Sequence, residues 1–217
     1  METFADRQEA GQLLAAALRN EDISSPIVLA LPRGGVPVGY EIAVALDTAL
    51  SVFIVRKLGV PGHSELAMGA IASGGVRVLN DDVVQMLHIP DAAIEQVARD
   101  EELELARRER LYGGAPEPSA INGRTAILVD DGLATGSTMK AAVLAVRRLG
   151  PRRLVVAVPV GAQDTCEALE KLADRVVCLR MPEPFQAVGL WYRNFRQTTD
   201  DEVRALLQAA ANRPAPK

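Results

Sequence analysis

Along the chain, hydrophobic and polar positions repeat with two periods, and the order in which they alternate predicts the architecture. The first segment, residues 5–20, has helical spacing, with Ala10, Leu13, Leu14, Ala17 and Leu18 on one face and Asp6 placed to cap its start. From Pro26 the pattern changes to a short continuous apolar run, Ile27 to Leu31, which reads as a strand buried on both faces. Pro32-Arg33-Gly34-Gly35 breaks it, and Val36 to Leu46 reads as a helix. A second strand, Val52 to Val55, ends in Arg56-Lys57. A third, Thr125 to Val129, ends in Asp130-Asp131 and is followed by a helix from Ser137 to Leu149, stopped by Gly150-Pro151. A fourth, Leu154 to Val158, leads into a helix over Asp164–Leu172, and a fifth covers Val176 to Leu179. Strands alternating with helices of these lengths predict an α/β fold, a doubly wound parallel sheet of about five strands.

The alternation lapses over 59–123, far beyond an ordinary connection, which marks an insertion between core segments 26–58 and 124–180. Its first part, Leu66 to Leu79, reads as a hairpin turning at Ser73-Gly74-Gly75. Its second, Asp91 to Leu111, reads as a long helix with acids early and Arg107, Arg108 and Arg110 late. That polarity suits the helix dipole, so the arginines read as helix-end electrostatics and not as a nucleic-acid patch. Arg147, Arg148, Arg152 and Arg153 flank the Gly150-Pro151 stop in the same way. Residues 181–212 follow the core as a small C-terminal hood and helix, and the whole chain of 217 residues reads as a single domain.

Composition narrows the function. A hydrophobic content of 48% with a net charge of only -4 excludes a disordered chain and argues against a nucleic-acid-binding face. No apolar run reaches the length of a membrane span, and Met1 to Gly11 carries charges where a signal peptide needs apolar residues, so a soluble, cytoplasmic protein is expected. Cys166 and Cys178 have neither C-x-x-C nor zinc spacing and read as small buried hydrophobes.

In an open parallel sheet, ligands bind beyond the carboxyl ends of the strands. The run from Ala126 to Thr138 places two adjacent carboxylates at a strand end, then a loop of Gly132, Leu133, Ala134, Thr135 and Gly136 that opens a helix at Ser137-Thr138. Small residues let backbone N–H groups approach a phosphate, hydroxyls add donors, and the helix N-terminus favours an anion. A nucleotide P-loop does not match, because three residues and not four separate the glycines and no lysine follows Gly136. Carboxylates beside a bare phosphate would repel it, but they accept bonds from sugar hydroxyls and can sit near magnesium. A ligand with a phosphate at one end and vicinal hydroxyls nearby, such as ribose 5-phosphate, satisfies both halves; a plain helix cap would need only one acid.

The stretch Val129 to Thr138 resembles the phosphoribosyl pyrophosphate (PRPP) signature of the type I phosphoribosyltransferases. The resemblance covers roughly Ile27 to Leu179. It implies that Asp130 and Asp131 hold the ribose hydroxyls and that Ala134 to Thr138 hold the 5-phosphate, with Gly132 and Leu133 also among the substrate-binding residues. It also implies that Arg33, Gly34 and Gly35 form a pyrophosphate loop, with Arg56 and Lys57 as basic groups facing the same crevice. Mg2+ would be carried mainly by PRPP, with Asp130 and Asp131 the nearest carboxylates. The wording Leu-Pro-Arg-Gly-Gly-Val-Pro-Val-Gly looks like a bacterial branch of the family. The insertion falls where family members carry a closing loop, and His63, Ser64 and Glu65 lie at its beginning; His63 is a candidate donor to the leaving group, and His88 reads as structural.

The region 181–195 would form a hood over the acceptor and is distantly similar to a segment of the 6-oxopurine enzymes. Of four Phe, three Tyr and one Trp, it holds Phe185, Trp191, Tyr192 and Phe195. Phe185 and Trp191 could stack on a planar base, or the rings could anchor the C-terminal segment. The activity implied is transfer of ribose 5-phosphate from Mg-PRPP to a small, nitrogenous acceptor with release of pyrophosphate, by a homodimer if the analogy holds. The alternative is a non-catalytic sensor of PRPP or a nucleotide on the same fold. A sugar-phosphate hydrolase fits less well, since no nucleophile with a base partner stands out.

Overall fold

A computed structural model describes residues 2–213, except for the side chains of Ser64 and Glu65. Its elements, in order, are α1 (Arg7–Leu18), β1 (Pro26–Ala30), α2 (Gly35–Ala45), β2 (Leu50–Val52), β3 (Val55–Val60), β4 (His63–Ala72), β5 (Val76–Leu79), α3 (Asp81–Met86) and α4 (Asp91–Leu111). They continue with β6 (Thr125–Val129), α5 (Ser137–Arg148), β7 (Arg153–Val160), α6 (Gln163–Glu170), β8 (Arg175–Arg180) and α7 (Asp200–Ala211).

The central sheet has the order β2-β1-β6-β7-β8, all parallel, as the alternation of strands and helices predicts. Successive side chains on a strand face opposite sides, and here both sides are apolar. Ile27, Leu29, Ala126, Leu128, Leu154 and Val156 pack against α5 and α6 through Met139, Val143, Val146 and Leu169. Val28, Ile127, Val129, Val155 and Ala157 pack against α1 and α2 through Leu14, Leu18, Val38 and Ile42. Asp6 caps α1 by accepting from Glu9 N at 2.9 Å. From β1 the chain crosses to β2 on one side and later returns to β6 on the other. The order therefore reverses between β1 and β6, and the loops that leave these two strands flank a crevice.

The second predicted strand divides in two. β2 ends at Val52, the chain bends through buried Phe53 and Ile54, and β3 begins a separate antiparallel sheet, β3-β4-β5. Phe53 N still donates to Ala30 O at 2.9 Å, whereas the Ile54 amide turns to the Ser73 hydroxyl at 3.0 Å and its carbonyl accepts from Ser73 N at 2.9 Å. An uninterrupted apolar run carries no mark of this bend. The small sheet and α4 share an apolar cluster that includes Leu58, Met68, Ile71, Ile94 and Leu105, so most of the insertion is packed structure. In α4, Arg107 and Arg108 pair with Glu104 one turn back, and Gly113 (φ 92°) and Gly114 (φ 105°) follow its end. Arg147 instead reaches Asp174 at 2.9 Å, and Arg153 lies 3.6 Å from Glu21, so these two act as ties between elements. Cys166 lies in the core and half-buried Cys178 packs against it.

No helix among the described residues is long and apolar enough to cross a membrane.

Candidate functional site

The crevice at the sheet reversal is built from two loops that touch. On the β1 side, Leu31 N donates to Val129 O at 2.8 Å and Gly35 N to Leu31 O at 3.0 Å, which folds Pro32–Gly35 over the end of β6. The Pro32–Arg33 peptide is cis. Gly35 has no room for a side chain, because a Cβ there would stand 2.6 Å from Val129 O and 3.0 Å from Asp130 Cα. A Cβ on Gly34 would overlap the Asp131 carboxylate. The two glycines thus let the first loop lie directly against the paired aspartates.

On the β6 side, the loop after Asp131 is pinned to the end of β7. Leu133 N donates to Val160 O and Ala162 N to Leu133 O, both at 2.9 Å. Leu133 is buried, so its side chain anchors the loop and only its backbone is available to a ligand. The Thr165 hydroxyl donates to Ala134 O at 2.8 Å. Gly136 adopts the left-handed conformation (φ 66°) beneath the Thr165 methyl, a position that tolerates no other residue without strain. Ala134, Thr135, Ser137 and Thr138 are exposed around the start of α5, where the first-turn N–H groups have no intrahelical acceptor. The hydroxyls of Thr135 and Ser137 lie 3.3 Å apart.

Electrostatics distinguish the two acids. Asp131 N donates to Asp130 Oδ1 at 2.8 Å. Burial pushes the Asp130 carboxyl well above the usual carboxylate range, and the neighbouring Asp131 charge adds to the effect. Burial also raises Asp131, but there the Arg7 guanidinium opposes it. Arg7 Nε and Nη2 approach Asp131 Oδ2 at 2.8 and 2.7 Å, with the two side chains only 11% and 16% exposed. The Tyr192 hydroxyl donates to Asp131 O at 2.6 Å, and burial pushes the Tyr192 phenol up.

Arg33 borders the crevice but faces Asp200 at the start of α7, with 3.6 Å between Nη1 and Oδ1. The same Oδ1 accepts from the Tyr112 hydroxyl at 2.6 Å; burial, with that bond second, raises the Tyr112 phenol to about 12. Arg56 and Lys57 do not end a core strand; they lie within β3, paired with Ile71 and Ala70. Adjacent strand residues point to opposite faces, so the two cannot both serve the crevice. Arg56 is held by Glu101 of α4 at 2.6 Å, and Lys57 is exposed. His63 is exposed on β4, the Ser64 and Glu65 side chains lie outside the described residues, and His88 is exposed with φ 48°.

The aromatic hood is occupied by the chain itself. Tyr192 lies 5.4 Å from Phe4 and 5.0 Å from Phe195 between ring centroids, and half-buried Phe185 and Trp191 pack on the same cluster. These rings anchor the N-terminal segment and not the C-terminal helix: Phe4 N donates to Trp191 O, and Arg193 N to Phe4 O, both at 2.8 Å. Arg7, Thr165 and Asp200 carry no signal of a site role in the sequence. Only their tertiary contacts reveal them, since none belongs to a local motif.

The profile of the phosphoribosyl transferase domain matches residues 5–193. The chain belongs to this family. It is 49% identical over 210 residues to a protein found in two strains of Mycobacterium tuberculosis, CDC 1551 and H37Rv, whose name assigns it provisionally to the phosphoribosyl transferases. That match covers 97% of the chain and 47% of the relative, so the chain spans about half the length of the curated relatives it matches. Among solved structures, a protein of Thermus thermophilus superimposes with a TM-score of 0.85 at 42% identity, covering 96% of this chain and 99% of that one. Within the phosphoribosyl transferase frame the pinned loop and the aspartate pair occupy the sheet reversal described above.

Members of the family generally use magnesium with PRPP. Among the described residues no group of three or more His, Cys, Asp or Glu is placed to cage a metal. The donor set nevertheless fits a magnesium ion held largely by its ligand: Arg7 offsets the Asp131 charge, Asp130 remains beside it, and magnesium commonly takes one or two carboxylates with substrate oxygens and water.

Proposed function

We propose that this chain transfers ribose 5-phosphate from Mg-PRPP to a nitrogenous acceptor and releases pyrophosphate. The observation that carries this reading is the contact between two strand-end loops of different character at one sheet reversal: Gly34 lies directly on Asp131, and the left-handed Gly136 opens the exposed hydroxyl loop of α5. Each loop alone suits an anion; together with the aspartates between them they suit a ribose carrying a phosphate at one end and a pyrophosphate at the other.

In this reading Ala134 to Thr138 hold the 5-phosphate through backbone N–H groups and hydroxyls. Asp130 and Asp131 accept from the ribose hydroxyls. Arg33 and the Gly34-Gly35 amides hold the pyrophosphate, with Lys57 as a further basic candidate. Bound magnesium would offset the charge of the pyrophosphate. The chain's own work is to fix both ends of the ligand, so that the bond between ribose and pyrophosphate opens in one orientation and the departing negative charge meets preplaced donors. Val188 lies over Gly132, whose added Cβ would meet its methyls at 2.5 and 2.8 Å, and this contact supports reading the 188–191 turn as one wall of an acceptor site.

Calorimetry with Mg-PRPP, followed by pyrophosphate–PRPP isotope exchange and a nucleobase panel, tests the proposal. Binding and exchange in the wild type, with exchange lost and binding weakened but measurable in Asp131→Asn and Arg33→Ala variants that still melt cooperatively, support it. Absence of binding at millimolar Mg-PRPP refutes it, and binding without exchange or turnover on any base identifies a sensor instead.

A further inference from the structure

Asp131 is unusually committed. Its N–H goes to Asp130 Oδ1, its carbonyl accepts from the Tyr192 hydroxyl, and its Oδ2 takes both Nε and Nη2 of Arg7. Both arginine donors converge on Oδ2 and leave Oδ1 outside the guanidinium's grip. The guanidinium that imposes this is itself held on its other edge and on its face: Nη1 donates to Arg196 O at 2.8 Å, and the group lies 4.0 Å from the Phe195 ring centroid and 6.0 Å from that of Tyr192. Arg7 is the first residue of α1, so a segment that precedes the core in sequence reaches the end of its third strand.

We propose that Arg7 is a positioning residue for the transfer reaction, holding Asp131 by one carboxylate oxygen so that Oδ1 is the single atom presented to a ribose hydroxyl. The inference rests on the reading of the site given above. An isolated carboxylate can rotate and offer either oxygen; with Oδ2 taken by a planar fork and Gly34 packed against it, only one orientation remains. The clamp also ties that orientation to the hood through Arg196 and Phe195, so hood and ribose site are set by one side chain.

The test is Mg-PRPP calorimetry on the full chain carrying Arg7→Ala, Arg7→Lys, Asp131→Asn and the Arg7→Ala/Asp131→Asn pair, with melting curves to verify folding. Loss of one charge-assisted interaction at Asp131 corresponds to a weakening of about 10- to 100-fold in Arg7→Ala. Lysine, which cannot supply the fork, should recover only part of this. Arg7 is among the residues lining a cavity of about 430 Å³, with Tyr40, Glu41, Asn194, Arg196 and Glu202, so millimolar guanidinium ion should reach the space left in the alanine variant and restore binding. In the Asp131→Asn background, Arg7→Ala should cost no more than about twofold, since the residue acts through Asp131.

Wild-type affinity in a folded Arg7→Ala variant, or equal losses from Arg7→Ala in both backgrounds, overturns the proposal while leaving the site reading intact. A wild type that binds no Mg-PRPP overturns the site reading, and this inference with it. If Arg7→Ala does not fold, the Arg7→Lys variant decides by the same cycle: full affinity in it overturns the proposal.

Discussion

Replacing Gly34 with alanine adds one methyl group at the point where the two loops touch. Gly34 has φ -61° and ψ -32°, a conformation alanine adopts freely, so the backbone carries no penalty and the substitution alone would stabilise by about 0.4–1 kcal/mol. The methyl would nonetheless overlap the Asp131 carboxylate, lying 2.5 Å from its Cγ. Restoring ordinary contact requires that carboxylate to retreat by about 1 Å. Both Arg7 bonds, at 2.8 and 2.7 Å, converge on the oxygen that must move. Charge-assisted bonds are each worth about 1.5–3 kcal/mol, and two that share one partly accessible acceptor lose about 2–4 kcal/mol together. The net cost is about 1–3 kcal/mol, a fall in Tm of about 3–10 °C for a chain of this size. Mg-PRPP affinity should fall by about 10- to 100-fold as the carboxylate leaves its place. Thermal melts and calorimetry on Gly34→Ala measure both. Gly114→Ala is the control: its Cβ would meet nothing within 4 Å but its φ is 105°, so it should lose stability through backbone strain with affinity unchanged. A Gly34→Ala protein with wild-type Tm and affinity would show that the carboxylate is not held against the glycine, and the geometry argued for the crevice would be wrong.

Gly136→Ala should destabilise by about 2–3 kcal/mol in urea unfolding, combining the left-handed backbone with overlap on the Thr165 methyl, and should weaken Mg-PRPP binding. Asp200→Ala removes the carboxylate that Arg33 faces and should strengthen pyrophosphate binding by about two- to fivefold, the scale of an exposed ion pair; weaker binding would mean that Asp200 positions Arg33. At α7, the Arg196 side chain and then the Thr199 amide lower Glu202 from 4.5 to about 2. A carboxyl depressed in the folded state stabilises above its unfolded value and loses that contribution as pH falls between 4.5 and 2. The Tm difference between wild type and Glu202→Gln should therefore be present at neutral pH and vanish across that interval.

Much of the architecture is written locally. Helix caps such as Asp6, the apolar runs of β1, β6 and β7, and the stop after α5 depend on neighbours a few residues away, which is why the five-stranded parallel core is legible in the order of residues alone. The loop after Asp131 is legible for the same reason, as its small residues and hydroxyls are contiguous. The bend at Phe53–Ile54 is not, because both residues are apolar and buried on either side of it; its stabilising partner, Ser73, lies across a hairpin. That one bend moves Arg56 and Lys57 out of the core strand and gives Arg56 to Glu101.

By itself, then, the sequence determined the layered α/β frame and the chemical character of its strand-end loops, since both follow from periodicity and from residues adjacent in the chain. Tertiary structure decided which charges meet. Arg7 and Asp131 stand 124 residues apart, as do no two members of a local motif, and they pair because a parallel sheet brings α1, the hood and the end of β6 to one place. Burial there favours a cation beside the buried carboxylate, and only the folded chain specifies which arginine supplies it.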